Sequence, residues 1–354
     1  MRFLVFMTII LTAGTIIGRT NKTGFHKVED LKGYWKFEIG DDKRWADPKF
    51  NDESWEEIYV PATWEDEGFP GFDGYAWYRK EFTLDENDNG NNYYLFLGVI
   101  DDVDEAYING HFVGFLGSYP PEFRTAAAIQ RQYLVPREYL NFNGRNVIAV
   151  KVYDEFQEGG IKRGKVGLYE FISELRPAQN LSGLWMFKIG DNPDWKDPDL
   201  DDGGWTEMIV PSIWQTQGFK DINGFAWYRK EFTVDEDLEE DRLIMLLGKI
   251  DDLDETYLNG KRIGKTGRIR EDLERRDLGN NWQTLRAYYI PSGYLNKNGK
   301  NTLAVRVFDG YGHGGIFEGP IGLISRDSYL NWKSSSRKTR SKSDFWEWLF
   351  GDRP

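Results

Sequence analysis

Apolar and polar residues alternate with a period of two along much of this chain. In YWKFEIG (34–40), Trp35, Phe37 and Ile39 fall on one face and Lys36 and Glu38 on the other, as in a half-buried strand. In VIAVKVY (147–153), Ile148, Val150 and Val152 share a face, and Val147 and Ala149 on the opposite face are apolar too. That run predicts a strand covered on both sides. Asn109–Gly110 sits between two strand-like runs in AYINGHFVG, and Asn259–Gly260 repeats the arrangement. Asn–Gly accepts the positive φ angles of a tight hairpin. The intervening segments are rich in Asp, Asn, Gly and Pro, the residues of turns and loops. No window shows a long, well-capped amphipathic helix; Arg268–Gly279 is the best helical candidate. The pattern predicts an all-β protein.

The pattern also occurs twice. GYAWYRKEFTLDE (Gly74–Glu86) returns as GFAWYRKEFTVDE (Gly224–Glu236), an offset of 150. At the same offset Trp35 maps to Trp185, Trp45 to Trp195, Trp55 to Trp205, Pro61 to Pro211 and Trp64 to Trp214, and Gly98–Gly114 maps to Gly248–Gly264. The second copy then carries five extra residues, so Pro136 maps to Pro291, Asn143–Asp154 to Asn298–Asp309, and EGGI (158–161) to HGGI (313–316). The unit is far longer than a solenoid repeat and is the size of a domain. The chain is thus expected to hold module 1 at 30–174 and module 2 at 180–325, joined by a short linker at 175–180. A hydrophobic segment at 1–20 and a tail at 326–354 flank them. Several strands per module with long connections predict two tandem jelly-roll β-sandwiches.

Composition narrows the chemistry. Aromatic residues make up 16% of the 354, with 14 Trp and 38 Gly, which suits strands and turns. A net charge of −13 disfavours nucleic acid. Without Cys there are no disulfides, thiol nucleophiles or thiolate metal sites. His26, His111 and His313 are the only histidines, too few for a multi-histidine zinc centre. MRFLVFMTIILTAGTIIGRT (1–20) places one Arg before an apolar run, which reads as an export signal, with a retained N-terminal anchor as the alternative. The expected location is periplasmic, secreted or at the cell envelope.

Each module resembles the galactose-binding-domain-like jelly roll of family 2 glycoside hydrolases, their sugar-binding domain, and the module inserted in sialate O-acetylesterase-like proteins. The resemblance rests on the W-x-F start, the Asp-x-x-Trp…Val-Pro block (Asp52–Pro61, Asp202–Pro211), W-Y-R-K-x-F, the D-E-x-Y-x-N-G hairpin and the late A-V-x-V strand. It covers about four-fifths of the chain. In those families the module stands mostly beside a catalytic domain, so the resemblance implies a fold more than an activity.

The two modules leave about 30 residues at each end, no room for a barrel of ~250 residues with two catalytic carboxylates. The esterase relatives need Gly-Asp-Ser, but Gly40-Asp41-Asp42 and Gly190-Asp191-Asn192 lack the serine. No Gly-x-Ser-x-Gly and no phosphate-binding loop occurs. No catalytic residue is assigned. The expected role is non-catalytic carbohydrate binding, or a scaffold in glycan processing beside a separately encoded enzyme. The alternatives are a degenerate glycosidase or esterase and a structural cell-envelope protein.

Three groups are candidates for a site. Trp45, Trp64, Tyr75, Trp195, Trp214 and Phe225 could stack on sugars or plug the ends of the sandwiches. Asp104 and Asp254 point inward on their strands and need partners: Arg79 and Lys80, or Arg229 and Lys230, or else a structural calcium. No other cofactor and no other metal site is expected. The Gly-Gly loops form the third group. In module 2 the binding residues are expected to be Trp282, Arg286, Tyr288, Asp309, His313, Gly314 and Gly315. Module 1 offers weaker equivalents in Arg131, Tyr133, Asp154 and Glu158, with Ala127 in place of Trp282. Membrane contact is expected only through 1–20 or the C-terminal tail, where Phe345, Trp346, Trp348, Leu349 and Phe350 cluster.

Overall fold

The computed structural model describes residues 23–85, 90–220, 222–236, 238, 242–270 and 278–336. The hydrophobic segment 1–20, the aromatic end of the tail and most of the helical candidate at 268–279 lie outside them.

Module 1 contains β1 (Gly24–Asp30), β2 (Gly33–Ile39), β3 (Glu56–Val60), β4 (Gly74–Thr83), β5 (Asn92–Asp101), β6 (Val103–Ile108), β7 (His111–Leu116), β8 (Gln130–Val135), β9 (Arg145–Asp154) and β10 (Gly160–Ile172). Module 2 repeats the set as β11 (Gln179–Asn180), β12 (Gly183–Ile189), β13 (Thr206–Val210), β14 (Gly224–Phe232), β15 (Leu243–Asp251), β16 (Leu253–Leu258), β17 (Lys261–Thr266), β18 (Leu285–Tyr289), β19 (Asn301–Asp309) and β20 (Gly315–Ser325). In module 1 a six-stranded sheet of order β3-β2-β4-β9-β6-β7 faces a four-stranded sheet, β1-β10-β5-β8. Module 2 has the same two sheets, β13-β12-β14-β19-β16-β17 and β11-β20-β15-β18. Each sheet draws its strands from one module only, so the fold is two tandem all-β sandwiches.

The period-two reading explains these strands. Trp35 and Phe37 turn into the core, while Ile39, at the end of β2, is exposed. β9 lies inside the six-stranded sheet, with Ile148, Val150 and Val152 in the main core and Ala149 in a second apolar layer with Trp77 and Trp55. Both faces of β9 are therefore covered, as its apolar run requires. The two hairpins turn at Asn109–Gly110 (φ 52° and 84°) and Asn259–Gly260 (φ 50° and 76°), the left-handed geometry that Asn–Gly tolerates. Gly98 and Gly248 allow a close approach at the bends of β5 and β15. A Cβ there would meet the carbonyl oxygen of Arg163 at 2.1 Å or of Glu318 at 1.6 Å.

One boundary differs from the sequence reading. β1 begins at Gly24 and pairs with β10, so the module 1 sheet starts before residue 30. The tail begins as a helix, α1 (Arg326–Ser336), whose Tyr329 and Trp332 pack with Leu175 of the linker on Ile244, Leu246 and Ile324. Ile209 of module 2 is buried within the module 1 core, with Leu184 packed against it. The modules therefore meet over an apolar contact. Asn180 Nδ2 donates to Asn92 Oδ1 at 2.8 Å and Gln217 Nε2 to the Val113 carbonyl at 3.1 Å, both across the junction.

Candidate functional site

The inward-facing aspartates have partners, but not the ones expected. Asp104 is fully buried and accepts from Arg131 Nε at 2.6 Å and from the Tyr133 hydroxyl at 2.7 Å. Asp254 accepts from Arg286 Nε at 2.9 Å and from the Tyr288 hydroxyl at 2.8 Å. Arg79 and Arg229 instead bond Asp52 and Asp202, each at 2.7 Å, and donate to the carbonyls of Asp47 and Asp197 in the loop before that block. Lys80 and Lys230 donate to the carbonyls of Tyr34 and Leu184. The sequence reading erred because β8 and β18 belong to the four-stranded sheets and β6 and β16 to the six-stranded ones, so only the folded sandwich shows which arginine lies across from each aspartate.

This pairing takes several predicted binding residues out of contention. Arg286 is completely buried, and its remaining donors go to the carbonyls of Asn281, Thr284 and Asp252. Arg131 is spent likewise on Ala126, Ile129 and Asp102. Neither guanidinium can reach a sugar hydroxyl; both pin the interior. Tyr288 and Tyr133 turn inward with them, and burial pushes both phenols well up. Gly314 and Gly315 make room for scaffold, not ligand. A Cβ on Gly314 would stand 2.4 Å from the Trp214 ring, and one on Gly315 2.8 Å from the Ser212 carbonyl. Trp64 and Trp214 are themselves fully buried plugs whose indole N–H groups donate to Tyr78 and Tyr228.

The ends of β5 and β9, and of β15 and β19, form two aspartate triads. Asp101, Asp102 and Asp154 each place a carboxylate oxygen within 4.8 Å of the others, as do Asp251, Asp252 and Asp309. Asp154 is fully buried, and neither of its oxygens has a hydrogen-bond partner. Burial, then the charges of Asp102 and Asp101, push its carboxyl up to about 7. Asp309, also fully buried, accepts from the Tyr311 N–H at 3.1 Å on Oδ1 and has no partner on Oδ2. Burial pushes it up to about 6. Neither faces a cleft as a sugar acceptor must. Glu158 is exposed and pairs with Lys162 at 3.1 Å.

The remaining predicted residues, Trp282 and His313, do come together. Both line a cleft of about 970 Å³ between the modules. Its module 1 wall carries Phe25, Tyr94 and Phe171 from the four-stranded sheet; Phe25 lies 5.2 Å from Tyr94 and 4.8 Å from Phe171, ring centre to ring centre. Module 2 contributes Trp282, Leu285, Phe317, Asp251 and Asp252 to the lining. Asn91, Asn92, Gln130, Gln132 and Gln217 add amides. Such a mixture of flat apolar faces with a few polar groups characterises small-molecule sites of this size. The module 1 wall escaped the sequence reading, because nothing in one module's motif says which surface the other will face.

Comparison with known proteins agrees with this architecture. The family model of the beta-galactosidase second all-beta domain matches residues 40–156. Beta-galactosidase BoGH2A of Bacteroides ovatus is 26% identical over 198 residues, 52% of this chain and 20% of that protein. A putative beta-glucuronidase of Formosa agariphila is 31% identical over 148 residues, 38% of this chain and 13% of that one. The chain thus spans a fifth or less of these relatives' length. Among solved structures, a family 2 beta-glucuronidase aligns over 82% of this chain and 27% of its own at 19% identity and a TM-score of 0.36. A Bacteroides uniformis beta-glucuronidase aligns over 81% and 28% at 18% identity and a TM-score of 0.35. The two sandwiches are all-β modules similar to the sugar-binding domains of family 2 glycoside hydrolases.

Proposed function

We propose that the chain is an exported, non-catalytic carbohydrate-binding or scaffold protein of glycan processing that acts beside a separately encoded enzyme. The observation that carries this is the cleft between the modules, where Trp282 shares the lining with Phe25, Tyr94 and Phe171 and with several amides. Pyranose rings present apolar C–H faces to aromatic rings, and their hydroxyls exchange hydrogen bonds with amides and carboxylates. Similarity to the beta-galactosidase second all-beta domain supports the same reading. The described residues are accounted for by two sandwiches, their connections and one helix. The carboxylates at the cleft edge adjoin one another, and Glu318 is held by Lys249 at 2.8 Å.

A glycan-array screen of the purified chain tests this, followed by titration of any hit against Trp282→Ala. Glycan binding that weakens in the variant, with Tm nearly unchanged, is the expected result. No glycan bound, or aryl-glycoside or acetyl-sugar hydrolysis abolished by a single carboxylate substitution, would overturn the reading.

A further inference from the structure

We propose that the two aspartate triads are divalent-cation sites for a hard ion of calcium's size, with the module 2 triad (Asp251, Asp252, Asp309) the tighter of the two. Three carboxylates within 4.8 Å of one another repel strongly unless something positive stands among them. A calcium ion binds oxygens at about 2.4 Å and can bridge two that lie up to about 4.8 Å apart. Every pair in each triad meets that condition without backbone movement. The second observation is the orphaned carboxylate. Both oxygens of Asp154 and Oδ2 of Asp309 are buried with no partner among the described residues, although a buried polar group ordinarily has one.

The triads differ in the protein groups that already face them. In module 1 the Lys162 ammonium holds Asp101 at 2.8 Å, while the Thr125 hydroxyl and the Glu155 N–H donate to Asp102. In module 2 Phe317 occupies the position of Lys162. The Gly310 N–H donates to Asp252 Oδ2 at 3.1 Å, and Arg286 approaches through the Asp252 carbonyl at 2.7 Å. Among the described residues, module 2 therefore has no counterpart of that ammonium, and its Asp251 and Asp252 open on the cleft, which gives an ion a way in. One ammonium beside the ion should weaken module 1 by about tenfold or more.

The test uses the full chain, stripped with chelator and titrated with calcium chloride by calorimetry, with Tm measured in parallel. The expected result is saturable binding in two phases and a Tm that rises with calcium. Asp309→Asn should remove the tight phase and Asp154→Asn the weak one. Phe317→Lys, which gives module 2 the cation module 1 already uses, should weaken the tight phase while the far-ultraviolet circular dichroism stays that of the parent. Lys162→Phe should tighten the weak phase. No saturable heat and no Tm rise with calcium or magnesium would mean that protons alone hold the triads. Unchanged binding in both Asp309→Asn and Phe317→Lys would place the ion elsewhere. Either result overturns the proposal.

Discussion

Modules 1 and 2 share every strand, both sheet orders and the buried Asp–Arg–Tyr pins, yet they differ where their surfaces meet something. Tyr34 and Tyr59 form an exposed cross-strand pair on module 1, with ring centres 5.5 Å apart. At the same positions module 2 has Leu184 and Ile209, which pack into module 1. Ala127 corresponds to Trp282, Glu158 to His313 and Lys162 to Phe317, and the module 2 member of each pair lines the cleft. A duplicated sandwich keeps what closes its interior, because a buried charge without its partner is costly. Its outer positions are free to take on different work.

The sharpest way to break this comparison is at the pins. Arg131→Met and Arg286→Met should each cost about 3–5 kcal/mol, since each leaves a buried aspartate without its cation. Urea denaturation with separate probes for the two modules would check it. A loss under about 1 kcal/mol in one module alone would show that the pins are not equivalent.

A second, smaller contrast concerns pH. The folded-state carboxyls of Asp154 and Asp309 lie at about 7 and about 6, above the ~3.9 of an unfolded aspartate. The fold therefore keeps these protons longer than the unfolded chain does. Their stabilising effect is present at low pH and is lost as pH rises from about 4 through 7 for Asp154, and through 6 for Asp309. Without metal, the Asp154 contribution amounts to roughly 4 kcal/mol of destabilisation by pH 8. Asp154→Asn should flatten the stability profile over that window more than Asp309→Asn does. Equal profiles in the parent and Asp154→Asn would show that this carboxyl titrates alike in both states.

The smallest effect on stability, and the clearest on binding, belongs to the cleft. Trp282→Ala should cost less than about 1 kcal/mol, because Trp282 is only half-buried, while glycan affinity falls about tenfold or more. Ala127→Trp places the same ring at the equivalent point of module 1, outside the cleft lining. It should create no binding site, and glycan binding gained there would show that one module suffices.

The strands, the hairpins and the duplication were legible because each has a local cause. Period-two apolarity makes a buried face, Asn–Gly makes a tight turn, and a constant offset betrays a copied unit. The site was less legible. Trp282 and His313 were found because they break the symmetry between the copies. Arg286, Tyr288, Gly314 and Gly315 were placed with them because they are adjacent in sequence, yet their side chains or missing Cβ atoms serve the interior.

By itself the sequence determined two all-β sandwiches, their strand content and the turn residues between strands, since these follow from interactions within a few residues. Only the tertiary structure decided which arginine neutralises which aspartate, which carboxylates converge into triads, and which module surfaces enclose the cleft. Those choices depend on strands 27 to 58 residues apart and on two modules meeting. Side-chain charge and polarity fix only that a partner is needed. The path of the backbone in space fixes which one is within 3 Å.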